Sequence, residues 1–248
     1  MSERIPAPQK QSRRNRCCFA PPLLILACLV LASCESIYTA EVSPIVLAVK
    51  GNVQIRTAAE PNFRALTTTA SLHAGDVIRT GADARVRLAL LPNILLQLRY
   101  DSELQIVAVR VAKDGNETDR ELVARYAEVK LVSGHFYAVH EERDRAETKF
   151  IVSTPQGRVV AVAPCLCRIA VEDGRTRVSC ARGELKFQPN DGSPITVTEG
   201  QIGRWPDEGG QNITPATDEV AKDELAHAHL VENDLLVARA GIRNILPR

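Results

Sequence analysis

The sequence predicts an all-β domain of antiparallel strands, arranged as a sandwich or a short solenoid, followed by a C-terminal α-helix. Over most of residues 49–205, apolar and polar residues alternate with a period of two, which is typical of strands with one buried face. After residue 205 the apolar residues recur at three- and four-residue steps, which indicates a helix. A glycine opens an alternating run at six positions, namely Gly51, Gly75, Gly134, Gly157, Gly183 and Gly200.

The spacing of these glycines leaves two architectures open. Three of the intervals are similar, at 24, 23 and 26 residues, and a near-constant interval favours the stacked strand–turn units of a solenoid. Glycine is also common at the turns of sandwiches, where such spacing arises without a repeat.

Residues 1–33 have the features of a secretory signal peptide. A basic segment, residues 1–16, precedes an apolar run of about 15 residues that contains two prolines. A membrane-spanning helix needs roughly 20 apolar residues, so this run is short for a span. It ends in Leu31-Ala32-Ser33-Cys34, which resembles a bacterial lipobox, the motif in which the cysteine is lipidated and becomes the new N-terminus.

Cys34 is therefore the predicted lipidation site, and its lipid is the predicted link to the membrane. Such a protein is exported and faces the periplasm from the cell envelope. Glu35, in place of Asp, follows the cysteine and favours the outer over the inner membrane. The alternatives are an ordinary signal that happens to end at a cysteine, and a short uncleaved anchor.

The charge balance argues against nucleic acid as a partner. The chain has 31 Lys and Arg against 30 Asp and Glu, a net charge of +1. Residues 1–33 carry five basic residues and one acidic residue, so the remainder has a net charge of −3. Nucleic-acid binding needs a basic surface, which such a chain lacks. A hydrophobic content of 45% with little net charge also argues against disorder.

Residues 34–48 are expected to form a tether and a first strand, and residues 49–205 the β domain. Residues 86–90 and 94–98 alternate on either side of Pro92-Asn93 and predict a hairpin. The later predicted strands cover roughly residues 158–163, 165–171, 175–181, 184–188 and 194–198.

The C-terminal part divides into a linker, residues 206–214, and a helical segment, residues 215–248. Thr214 is a candidate N-cap, with Pro215 at the first helical position. One apolar stripe follows, formed by Ala221, Leu225, Ala228, Val231, Leu235, Ala238 and Ile242. This stripe predicts a helix that packs back on the β domain; the alternative is a helix that binds a partner or dimerises.

Several motifs in residues 49–205 resemble the FecR domain, the periplasmic part of FecR-type regulators. The most specific is residues 72–88, LHAGDVIRTGADARVRL, which is similar to the family pattern L-x-x-G-D-x-I-x-T-x-x-x-S-x-x-x-L. Residues 131–134 (LVSG) and 150–155 (FIVSTP) are similar to its L-x-x-G and I-x-T-P motifs. Residues 183–187 and 199–201 fit its closing strands.

The resemblance implies structural roles for the motif residues, which are Gly75, Asp76, Thr80, Gly134, Thr154, Pro155, Gly183 and Gly200. The Gly75-Asp76 and Thr80-Gly81 steps suit tight turns in which glycine takes a positive φ. Two departures stand out. Residues 164–167 (PCLC) replace the family's G-T-x-F, and only 16 residues precede the apolar run, too few for a cytoplasmic anti-sigma segment.

The cysteines outside the signal and the lipobox are Cys165, Cys167 and Cys180. Asp173-Gly174 is a strong two-residue hairpin turn, which places Cys167 opposite Cys180 in a non-hydrogen-bonded pair. Such pairs have Cα atoms about 4.5 Å apart, within the range of a disulfide. Because exported compartments are oxidising, the sequence predicts a Cys167–Cys180 disulfide. Cys165 is then a small buried residue. A three-thiol metal site is disfavoured by its spacing.

No motif for catalysis, metal binding or cofactor binding occurs, and the five histidines do not cluster. We therefore expect no catalytic residues, no metal and no cofactor. The predicted function is a non-enzymatic, lipid-anchored envelope module that binds an envelope protein or a cell-wall polymer. The alternative is the periplasmic component of a FecR-type transmembrane signalling system, a sigma regulator, that acts with another chain.

Overall fold

The computed structural model describes residues 37–115, 122–161, 163–206 and 212–243. The predicted signal peptide and Cys34 lie outside the described residues. The strands are β1 (Ile37–Glu41), β2 (Ile45–Lys50), β3 (Val53–Arg56), β4 (Arg64–Ala65), β5 (Val77–Thr80), β6 (Arg85–Leu91), β7 (Ile94–Leu98), β8 (Glu103–Asp114), β9 (Leu122–His140), β10 (Glu147–Thr154), β11 (Gly157–Ala161), β12 (Cys165–Glu172), β13 (Arg175–Arg182), β14 (Glu184–Pro189), β15 (Ile195–Thr198), β16 (Gln201–Trp205) and β17 (Ile213–Pro215). One α-helix is described, α1 (Glu219–Arg243).

The strands form two sheets that share the long strand β9. In sheet A the order is β4-β3-β5-β8-β9-β10-β11-β14-β15, with β1 also paired to β8. In sheet B the order is β2-β6-β7-β9-β12-β13-β16-β17. The first part of β9 lies in sheet A and residues 134–140 lie in sheet B. The β9–β10 pair is parallel, and the other described pairs are antiparallel.

The main core lies between the two sheets. Its cluster of buried residues draws on both, with Phe150 and Phe187 from sheet A and Phe136 and Trp205 from sheet B. The rings of Phe187 and Trp205 stack across the gap, with centroids 3.7 Å apart. The chain is therefore a sandwich, and the prediction of an all-β domain with a C-terminal helix is confirmed.

Helix α1 packs on the other face of sheet B. Of the predicted stripe, Ala221, Ala228, Val231 and Leu235 are buried. They meet sheet-B residues that point away from the sandwich core, namely Ala89, Leu95, Tyr137, Val139, Leu166 and Ala181. A strand with one face in solvent has alternating buried and exposed residues. Because α1 covers the second face of sheet B, every residue of β7 is buried. The helix therefore packs back on the β domain, as the stripe predicts.

The predicted start of the helix is wrong. Thr214 and Pro215 belong to β17, where Thr214 pairs with Ile202 of β16, so Thr214 is not an N-cap. The helix begins at Glu219, and the side chain of Asp218 accepts a hydrogen bond of 2.7 Å from the amide of Ala221. Asp218 is therefore the cap. Pairing with β16 gives the backbone groups of residues 213–215 hydrogen-bond partners. The first amides of a helix have no such partners within the helix.

The hairpins of the predicted β domain are present. β6 and β7 pair around Pro92-Asn93. The predicted strand 165–171 is β12, and the unusual PCLC segment forms its start, with a register shift between Leu166 and Cys167.

Candidate functional site

The residues of the most specific motif tie one turn to the start of β8. Asp76 is 1% exposed, and its Oδ2 accepts a hydrogen bond of 2.9 Å from the amide of His73. Gly75 takes a φ of +94°, and its amide donates to the carbonyl of Ile106 over 2.8 Å. The hydroxyl of Thr80 donates to the carbonyl of Arg99. Asp83, rather than the predicted Gly81, has the positive φ in the next turn, at 57°.

Ser102 connects this turn to the bend of β9, a role that no sequence motif indicates. Its amide donates to the Thr80 hydroxyl over 3.0 Å, and its own hydroxyl accepts from the amide of His135 over 2.9 Å. Gly134, with a φ of +78°, lies directly against it. A Cβ at Gly134 would stand 2.1 Å from the Ser102 Oγ, so this position admits only glycine.

The remaining motif residues lie at separate turns. Thr154 donates its hydroxyl to the carbonyl of Gly157 over 3.0 Å, and the carbonyl of Pro155 accepts a bond from Asn190. A Cβ at Gly183 would stand 2.3 Å from the carbonyl oxygen of Pro164. Gly200 follows β15, with a φ of +77°. These residues shape turns and are not gathered into one pocket.

Three thiols and an imidazole meet on the inner face of sheet B. Cys167 pairs with Cys180 in the register that the two-residue turn predicts, and Cys165 pairs with His140 of β9. Cys165, Cys167 and Cys180 are all buried and are free thiols in this structure. The predicted register is present, and the predicted disulfide is not formed here. The Cys180 sulfur instead lies 3.3 Å from the carbonyl of Gly183.

The environment of the three thiols differs. Hydrogen bonding from Cys167, together with the His140 imidazole, lowers the pKa of Cys165 to about 6. The bond to Cys165 and burial raise the pKa of Cys167, and burial raises that of Cys180 to about 12. Cys165 therefore has the most thiolate character, although it is 1% exposed. Within the described ranges, no group of three or more His, Cys, Asp or Glu residues has an arrangement that could hold a metal ion.

The contact between sheet B and α1 is rich in ion pairs. Glu224 of the helix lies 3.3 Å from Arg168 and 2.6 Å from Arg177, and the hydroxyl of Ser179 donates to it. All three partners come from β12 and β13. Glu224 and Arg168 are each only about one-tenth exposed, at 10% and 11% of the side chain, so their charges are largely removed from water.

Further pairs follow along the helix. Glu232 takes two bonds from Arg182, of 2.6 and 3.1 Å, and Asp234 pairs with Arg87. Near the end of α1 the helix supplies the cation instead, and Arg239 pairs with Glu141. Most of these pairs join an acidic residue of α1 to an arginine of sheet B, which fixes the register of the helix on the sheet.

His135 lies on the same side of sheet B. Its ring is 5.1 Å from that of Tyr100 and 6.2 Å from that of Tyr137, in edge-on contacts. Burial, together with the charges of Arg168 and Arg99, lowers the pKa of His135 to about 3, although the Glu172 carboxylate lies 3.4 Å away. His135 is therefore neutral at physiological pH.

The outward face of α1 exposes large apolar side chains. Leu230 is 65% exposed and Val237 is 72% exposed. They are seven residues apart and so share one side of the helix, opposite the buried stripe. Among the described residues, no helix combines the length and the apolar content needed to cross a membrane.

Comparison with known proteins gives a family match over part of the sandwich. Residues 76–186 match the profile of the family described as FecR protein. The matched range runs from β5 into β14 and includes the hairpin turns described above. The resemblance inferred from the motifs is therefore confirmed over this range. No curated protein matches the chain.

Two solved structures are similar to the chain at a low level. Both are crystal structures of a candidate anti-sigma factor from Parabacteroides distasonis, at 15% and 16% identity with TM-scores of 0.39 and 0.38. In each case the similarity covers 56% of this chain and 57% of the solved one.

Proposed function

We propose that this chain is the periplasmic component of a FecR-type signalling system and acts by binding another protein chain. The observation that carries the proposal is the FecR family match over residues 76–186. The domain of that family is the periplasmic part of FecR-type regulators. The motif residues build turns, so the match favours a binding module over an enzyme.

The outward face of α1 is the proposed contact with that partner. Leu230 and Val237 lie on a helix whose position is fixed by ion pairs to sheet B, so they form part of a rigid surface. Exposed apolar residues on an anchored helix favour association with another protein. A cell-wall glycan offers few apolar groups and fits this surface less well.

Reciprocal co-purification from envelope extracts tests the proposal. We expect Leu230→Glu with Val237→Glu to abolish recovery of the partner, because two charges would be buried in the interface. The matched control is Val123→Glu with Val132→Glu, at apolar residues of β9 that are 43% and 40% exposed. Loss of the partner with both pairs, or with neither, would contradict a contact at α1. Retained melting temperature shows that the variants are folded.

We further propose that Cys34 carries the lipid anchor. The lipobox-like sequence supports this proposal. We expect Cys34→Ala to move the protein from the membrane fraction to the soluble periplasmic fraction, while Cys165→Ala leaves it in place. An unchanged membrane fraction for Cys34→Ala would contradict lipidation and favour an uncleaved anchor.

A further inference from the structure

A cavity of about 290 Å³ opens beside the β6–β7 turn, at the end of β9. Asn93 and His140 line it, and they are 1% and 3% exposed. The segment between β9 and β10 supplies most of the remaining wall. The volume is sufficient for a small polar molecule and is at the low end for ligand sites.

Two buried polar atoms at this cavity have no protein partner, namely the Oδ1 of Asn93 and the Nδ1 of His140. The orientation of the Asn93 amide is fixed, because its Nδ2 donates to the Thr148 hydroxyl over 3.0 Å and to the carbonyl of Glu141 over 3.3 Å. If the amide were flipped, Asn93 Oδ1 would face the carbonyl oxygen of Glu141, and two acceptors would meet. Asn93 therefore presents an acceptor, and a buried acceptor of this kind normally has a donor.

The rim of the cavity carries charges of both signs. Arg143 and Arg145 are exposed there beside Glu142 and Glu147. One wall is held in place by Arg125, which forms a two-bond pair with Asp144, one bond being 2.6 Å. The site thus combines a buried acceptor, Asn93 Oδ1, with exposed cationic and anionic groups.

We infer that this cavity binds an amino-acid group, that is, a primary ammonium close to a carboxylate. An ammonium has three N–H donors, and one of them can satisfy the acceptor Asn93 Oδ1. Arg143 already donates to the carbonyl of Pro92, so the carboxylate then lies toward Arg145, which matches it as a charged donor. Glu142 and Glu147 favour entry of the ammonium. The inference is independent of the proposed signalling partner, because it rests on a different part of the surface.

Titration calorimetry on the purified chain tests the inference with three probes. Glycine supplies both charges, N-acetylglycine lacks the ammonium, and D-alanyl-D-alanine represents the end of a peptide. We expect glycine to bind at least tenfold more tightly than N-acetylglycine, because N-acetylglycine has no ammonium to donate to Asn93 Oδ1, and losing a hydrogen bond from a charged group typically costs that much. Tighter binding of the dipeptide than of glycine assigns a peptide terminus as the source; the reverse assigns a free amino acid.

Rim variants keep the test independent of folding. Arg145→Gln removes an exposed charge at the cavity, and Lys149→Gln removes one outside it. We expect roughly tenfold weaker glycine binding for the first and no change for the second. Equal affinity for glycine and N-acetylglycine would overturn the inference. So would the absence of a heat of binding at glycine concentrations up to about 10 mM, tenfold above a Kd of about 1 mM.

Discussion

The two interfaces of sheet B differ in how they are held. Toward sheet A, the sheet packs large apolar side chains such as Phe136 against others of the same kind. Toward α1, sheet B packs two alanines and four larger residues, and arginine–carboxylate pairs surround them. Apolar contacts have no charge for salt to screen or for protons to titrate, whereas ion pairs respond to both salt and pH. The sandwich is therefore the robust part of the molecule, and the seating of α1 depends on its charges.

A substitution in the sandwich core should lower the stability of the protein most. Phe136 is fully buried between the sheets, so Phe136→Ala leaves a large cavity. We expect a loss of about 3–5 kcal/mol in the free energy of unfolding. Urea denaturation followed by circular dichroism measures it. A loss below about 1 kcal/mol would show that the inter-sheet core is not the main source of stability.

A smaller effect is expected at the helix interface. Glu224→Gln removes the charge that Arg168 and Arg177 share, and both guanidinium groups are left partly buried. We expect a loss of about 2–3 kcal/mol, with faster hydrogen exchange confined to α1. Asp223→Asn, at an exposed carboxylate one residue earlier, is the control and should change little. Equal effects of the two variants would contradict an ion-pair role.

The register of sheet B places Cys167 opposite Cys180, so oxidation should link them. We expect Cys167 and Cys180 to form a disulfide in an oxidising compartment, the two thiols losing two protons and two electrons to a disulfide oxidant. The bond should stabilise the fold by about 2–3 kcal/mol. Alkylation of the unfolded chain without reductant, mapped by mass spectrometry, should then label Cys165 alone of the three. Labelling of all three would contradict the link.

Protonation of His135 should lower the free energy of unfolding at acid pH. Its folded-state pKa of about 3 lies below the unfolded value of about 6.5, so protonation favours the unfolded chain. The contribution of His135 to the free energy of unfolding is fully present above pH 6.5 and is lost as the pH falls toward 3. Between pH 7 and pH 5 we expect a loss of about 1–2 kcal/mol. His135→Phe should show a flatter pH profile; an unchanged profile would contradict the role of His135.

Local patterns predicted what depends on local geometry. Alternation located the strands, and Asp173-Gly174 gave the correct opposition of Cys167 and Cys180, because a two-residue turn sets the register. Thr214-Pro215 has the same local features as a helix start, and only pairing with β16 makes it a strand. A sequence cannot show that choice, since it depends on which distant strand is adjacent.

The polar cavity was beyond sequence reasoning for a similar reason. Asn93 and His140 are 47 residues apart and meet because β7 pairs with the end of β9. The histidines do not cluster along the chain, so no spacing indicates this site. The parallel β9–β10 pair was equally hidden, because alternation reveals a strand but not its neighbour or direction.

Transcript profiling tests whether the protein signals through a partner bound at α1. Strains carrying a deletion of the gene, Leu230→Glu with Val237→Glu, or the control Val123→Glu with Val132→Glu are compared with the parent. We expect the deletion and the α1 variant to change the same set of transcripts, and the control to match the parent. Transcription unaffected by the deletion would contradict a signalling role, and an α1 variant that matches the parent would contradict the contact at α1.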